Sequence, residues 1–167
     1  DVETVDMLYA EPVQYQRKEM TRFSDEEVVE VRQIAGCEGT HGPDISNDIL
    51  IIGFGYDHQL IAHVAENKDH ARKIQVFGFP SLRPDMYQEN VLRAERAAGA
   101  IGGEESGTMA NKILAPANDP FATAQELHDV VENIRRTTGP ITNLYLSPLA
   151  TKPQALGFAL YYLTEHR

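Results

Sequence analysis

Four short stretches of this chain hold most of the side chains whose types and spacing could do chemistry. They are Gly53-Phe54-Gly55-Tyr56-Asp57-His58, Pro80-Ser81-Leu82-Arg83-Pro84-Asp85, Pro116-Ala117-Asn118-Asp119 and Ser147-Pro148-Leu149-Ala150-Thr151-Lys152. In the first, Gly53 and Gly55 let a backbone come close to a ligand, and Asp57 and His58 offer a carboxylate and an imidazole for acid and base work. The dinucleotide fingerprint needs a third glycine three residues after the second, and His58 stands there. The acidic residue expected at the end of the following strand is missing as well, since that strand ends in Phe79-Pro80. A nicotinamide or flavin dinucleotide is therefore not expected, and no other cofactor is called for.

The fourth stretch places Ser147, Thr151 and Lys152 where a helix begins, and the free N–H groups of a helix start favour a phosphate or carboxylate. The same residues also fit a plain helix start, with Thr151 as cap and Pro153 in the first turn. No GxxxxGK[ST] pattern accompanies them, which argues against P-loop hydrolysis of a nucleoside triphosphate. Arg83 adds a second cation in the second stretch. In the third, Asp119 is placed to cap a helix, and a carboxylate there can also act as a general base or hold a ribose hydroxyl; Asn118 beside it offers further hydrogen bonds. Cys37, in a glycine-rich turn four residues before His41, has the residue types of a thiol and imidazole pair, but adjacency in sequence carries little information about such pairs. The remaining histidines show neither an HExxH pattern nor zinc spacing, so no metal is expected.

These stretches punctuate a repeated grammar of strand then helix. Residues 48–54 read as a strand buried on both faces and 57–67 as a helix; 73–79 and 85–98, 111–115 and 121–136, and 141–146 and 152–165 follow in the same way. Each helix has the length that a crossover between parallel strands needs. The expected fold is therefore α/β, a Rossmann-like three-layer α/β/α arrangement with a mainly parallel sheet. Residues 5–10 and the alternating 27–34 are expected as added strands at its edge, and 99–108 as a glycine-rich loop or lid. In such sheets ligands sit beyond the carboxyl ends of the strands, where all four stretches fall.

The whole, 1–167, is expected to form one domain, with 1–47 as N-terminal strands and loop and 48–167 as four βα units, standing alone or within a longer protein. Hydrophobic residues at 42% and charged residues at 24% match a globular chain. The formal net charge of -10 repels nucleic acid, so none is expected as partner. The apolar runs 49–54 and 155–163 are far shorter than the roughly 20 residues of a membrane span. A single cysteine makes no internal disulfide, which together with the lack of a visible leader points to the cytoplasm.

On the strength of the four loops and the grammar around them, residues 48–167 resemble the Rossmann-like domains that sense small ligands, such as the nucleotide-sensing domains of bacterial defence systems. The resemblance implies a ligand pocket at the strand ends. The leading expectation is a domain that binds or senses a small anionic or nucleotide-like molecule through Gly53, Gly55, Arg83, Asn118, Ser147, Thr151 and Lys152. One alternative is a hydrolase or transferase using Asp57, His58 and Asp119, and another is a structural or assembly module. The last helix carries Leu156, Phe158, Leu160, Tyr161, Tyr162 and Leu163, more apolar surface than one stripe needs, which suits a homodimer or a downstream domain.

Overall fold

The computed structural model describes residues 30–101 and 111–165. Its centre is a four-stranded, all-parallel sheet in the order β3-β2-β1-β4, made of β1 (Ile49–Phe54), β2 (Arg72–Gly78), β3 (Lys112–Ala115) and β4 (Leu144–Ser147). The helices are α1 (His58–Asn67), α2 (Met86–Arg96), α3 (Ala98–Ile101), α4 (Pro120–Thr138) and α5 (Lys152–Glu165). Strand and helix alternate as the grammar predicts, so the mixed α/β, Rossmann-like class holds.

β1 is central and buried along its whole length, and its alternate residues feed two separate cores. Ile49 and Ile51 point to one face with Ile74 and Val76 of β2, where Leu127, Val131 and Ile134 of α4 and Phe158 and Tyr161 of α5 cover them. Leu50, Ile52 and Phe54 point to the other with Phe77, against Ile61 and Ala65 of α1, Ala94 of α2 and Ile101 of α3. An unbroken apolar run is the signature of a strand with helices on both sides. Leu127, Val131 and Ile134 recur at helical spacing on α4 because only that stripe meets the sheet.

α4 and α5 pack closely because position 157 is glycine. A Cβ there would stand 2.6 Å from the Thr123 Cβ and 2.7 Å from the Pro120 carbonyl oxygen. Phe158 and Tyr161 are thereby buried within their own chain, Tyr162 is half-buried, and Leu163 stays 60% exposed.

Two local expectations need correcting. Residues 30–34, the described part of the segment expected as an N-terminal strand, run as irregular chain; their bonds are a turn, Cys37 N–H to the Ile34 carbonyl at 2.9 Å, and a Gln33–His41 side-chain contact of 3.3 Å, in place of a sheet partner. Residues 5–10 and 27–29 lie outside the described residues. The start of the expected glycine-rich loop is helical: Gly99 lies within α3, where Ile101 is buried against the second core, and 102–110 lie outside the described residues. No helix among the described residues is long and apolar enough to cross a membrane.

Candidate functional site

The four strand-end loops are linked in series, β2 to β3 to β4 to β1. Ala117, after β3, donates its N–H to the Pro80 carbonyl after β2 at 3.0 Å, and its own carbonyl accepts from the Thr151 hydroxyl after β4 at 2.6 Å. The loop after β4 then lies on the end of β1: a Cβ on Gly53 would stand 3.1 Å from the Ala150 Cβ, and one on Gly55 would overlap the Leu149 carbonyl. Finally the turn after β1 is held by α2, whose Arg93 donates to the Tyr56 carbonyl at 2.6 Å and whose Asn90 donates to the Phe54 carbonyl at 3.4 Å.

The strand order reverses between β1 and β4, which is where such sheets usually admit a ligand. Here the chain fills that place with its own Leu149 and Ala150. Gly53 and Gly55 thus serve close packing of backbone on backbone. Ser147 is buried at the end of β4 opposite Ile52. Thr151 uses both functions of its hydroxyl, donating to Ala117 and accepting from the Gln154 N–H at 3.3 Å as the start of α5. Gln154 is fully buried and donates to the Ala115 carbonyl at 3.1 Å, so this helix start is tied to the end of β3. Lys152 and Asn118 lie exposed on either side of that junction.

On the α2 side, α2 and the loop after β2 meet the turn after β1 in a wedge of polar and charged groups. Asp57 caps α1, accepting from the Leu60 N–H at 3.0 Å through Oδ1, while its Oδ2 is buried without a partner. Asn90 on α2 is buried too, and its Oδ1 also lacks a partner. Both orphans are acceptors. Tyr56 lies in the same wedge: burial and the charges of Asp85 and Glu89 push its hydroxyl up to about 12, against the opposing pull of Arg93 and Arg83. It therefore stays protonated at neutral pH. Arg93 stacks 5.1 Å from the Tyr56 ring centre and pairs with Glu89 at 2.9 Å, which makes it a brace for the turn. Arg83 is exposed at the mouth, and Phe79, 49% exposed, meets Tyr87 edge-on at 5.2 Å.

The expected acid and base residues do not converge. His58 opens α1 and Asp119 caps α4, accepting from the Phe121 and Ala122 N–H groups at 2.9 and 3.0 Å. These helices cover opposite faces of the sheet, and their strands, β1 and β3, are separated by β2, a spacing of about 10 Å. No hydrogen bond joins the two side chains. Cys37 is exposed in its turn, and His41 points elsewhere, its ring stacked on Tyr145 at 5.0 Å. Among the described residues no group of three or more His, Cys, Asp or Glu side chains could hold a metal ion.

The opposite, amino edge of the sheet carries a polar centre that sequence reasoning missed. The Asp48 side chain is wholly buried, and four side chains surround it: Thr142 Oγ1 at 2.6 Å and Asn143 Nδ2 at 2.8 Å on one oxygen, His70 Nε2 at 3.0 Å and Tyr145 Oη at 3.3 Å on the other. Burial by itself would raise the Asp48 pKa, but these hydrogen bonds outweigh it and hold the carboxyl below the usual aspartate value. Asn143 passes the restraint on to the chain before β1, accepting from the Gly42 N–H at 2.9 Å and donating to the Asp44 carbonyl at 2.9 Å. The available signal was a charged residue directly before a wholly apolar strand, which must find partners when buried. Tyr56, Asn90 and Arg93 were missed for another reason, since nothing in the spacing ties a helix face to a turn 36 residues away.

No family model, curated protein or solved structure matches this chain.

Proposed function

We propose that the chain is a binding or sensing domain for a small nucleotide-like ligand, which enters between the turn after β1 and the loop after β2. The observation that carries this reading is the pair of buried, unpartnered acceptors on either side of the turn after β1, Asp57 Oδ2 at the start of α1 and Asn90 Oδ1 on α2. A buried acceptor without a donor costs about 1–3 kcal/mol, so two of them flanking one turn favour a ligand bringing hydroxyl or amino donors. The exposed face of Phe79 beside Tyr87 suits an aromatic base, and Arg83 at the mouth supplies positive charge for a phosphate. A simple inorganic anion fits less well, because Asp57, Asp85 and Glu89 stand among the arginines.

The test is a thermal-shift and calorimetric panel of nucleosides, nucleotides and phosphorylated metabolites against the native chain and Asp57→Asn. Asparagine caps a helix about as well as aspartate but turns a donor toward the wedge where an acceptor stood. A ligand at 100 times its Kd stabilises by about 2.7 kcal/mol, which for a chain of this size raises Tm by about 5–10 °C. The expected result is such a shift with a nucleoside or nucleotide and its loss in Asp57→Asn. A panel with no shift, or one whose shift survives that substitution, overturns the reading.

A further inference from the structure

The sheet ends in two edges, β3 and β4, and they differ. The Ile49 N–H donates to the Asn143 carbonyl at 2.9 Å, so Asn143 turns its backbone groups toward β1. Backbone direction alternates along a strand, so Tyr145 also faces β1, and Leu144 and Leu146 turn their N–H and C=O groups outward. Among the described residues β1 is the sole strand neighbour of β4, which leaves those outward groups without a ladder. β4 carries neither the charge nor the proline with which exposed edges are usually protected, whereas β3 opens on Lys112.

The surface beside the β4 edge is uncharged as well. α5 lies over β1 and β4 on one face: Phe158 and Tyr161 join Ile49 and Ile51 in the first core, and Leu144 and Leu146 pack against the same cluster. Gly157 turns to α4, so the opposite flank of α5 carries Ala155, Ala159 and Tyr162. No charged side chain stands on α5 between Lys152 and Glu165, in a chain whose charged residues make up 24% and whose net charge is -10. A like-charged copy meets least repulsion there.

We propose that a second copy of the chain pairs with β4 antiparallel across a two-fold axis, so that one sheet runs through both copies. Symmetry about Tyr145 sets Leu144 opposite Leu146 of the other copy, and such pairs exchange both N–H···O bonds, so the outward groups of both residues are satisfied. Tyr145 falls on the non-bonded position between them. A pair of four-residue strands covers less than the roughly 800 Å² per partner of a stable interface, and the uncharged flanks of α5, brought side by side on one face, supply the rest. Two-fold pairing uses one edge of each copy, so assembly stops at a dimer.

Hydrogen exchange of the native chain is followed residue by residue at two concentrations, chosen by sedimentation to hold monomer and dimer. The Leu144 and Leu146 amides are expected to exchange at least about tenfold more slowly in the dimer, and the Tyr145 amide, already turned to β1, at the same rate in both. Ala159→Glu, at an exposed position, sets like charges across the axis and is expected to weaken the dimer at least about tenfold while the circular dichroism stays native. A monomer at every concentration overturns the proposal. So does protection of Leu144 and Leu146 that is equal at both concentrations, because residues of the same chain then cover the edge, and so does a dimer in which these amides exchange as in the monomer. A dimer untouched by Ala159→Glu overturns the part given to α5.

Discussion

Replacing Asp48 by alanine removes the one carboxylate on which Thr142, Asn143, His70 and Tyr145 converge at distances of 2.6–3.3 Å. A hydrogen bond to a charged group contributes about 1.5–3 kcal/mol net, so four give an upper limit of about 6–12 kcal/mol. Burying the carboxylate costs several kcal/mol, and water reaches the half-buried Thr142 and Tyr145 once the carboxylate is gone. The expected loss is therefore about 3–5 kcal/mol, a large share of the roughly 5–15 kcal/mol that holds a domain together. In urea, with a slope of about 2 kcal/mol/M, the midpoint falls by about 1.5–2.5 M. Asp48→Asn keeps Oδ1 for Thr142 and Asn143 but turns an amide toward His70 and Tyr145, and loses about half as much.

The same carboxylate sets the behaviour in acid. Its folded pKa is below the ordinary 3.8, so its contribution is complete above that value and is lost as pH falls through the folded one. Native chain should lose stability steeply below about pH 4, while the alanine variant shows a shallower slope there. A midpoint change under about 0.3 M in Asp48→Ala, or identical acid slopes in the two proteins, would refute the reasoning.

Gly55→Ala drives a methyl into the Leu149 carbonyl and should cost about 1–3 kcal/mol in a denaturation curve, whereas Gly53→Ala, with 3.1 Å to the Ala150 Cβ, should cost less than half of that. Gly157→Val should separate α4 from α5 and lower Tm by about 5–10 °C, because its Cβ would meet Thr123 and the Pro120 carbonyl at once. We propose that the exposed Leu163 and half-buried Leu156 and Leu160 of α5 join two copies of the chain. Sedimentation velocity over a hundredfold concentration range should then show a dimer that Leu163→Glu dissolves, and a monomer throughout would remove the proposal.

The alternation of strand and helix was legible in the sequence because it rests on local physics. The unbroken Ile49-Leu50-Ile51-Ile52 run, rich in β-branched residues, reads as a strand covered on both sides, and Asp57, Asp119 and Thr151 announce helix starts by chemistry that acts over three residues. Helix α5 matches its expected bounds, and β1 begins within one residue of them. The lateral order of the strands was not legible, and the site depended on it. Gly53 and Gly55 look alike whether they face a ligand or another loop; only the placement of β4 beside β1 brought Leu149 and Ala150 onto them.

The amino edge shows the same division. Asp48, His70, Asn143 and Tyr145 come from segments up to 97 residues apart, and each is unremarked in its own window. They meet because Ile49 registers with Arg72 on one side and with Leu144 on the other, so the residues at the start of three parallel strands, Tyr145 inside β4 among them, share one edge. Local sequence determined which elements form and how each begins. Tertiary structure decided which polar groups were buried together, because strand order and the meeting of distant segments are properties of the packed sheet and leave no periodic trace along the chain.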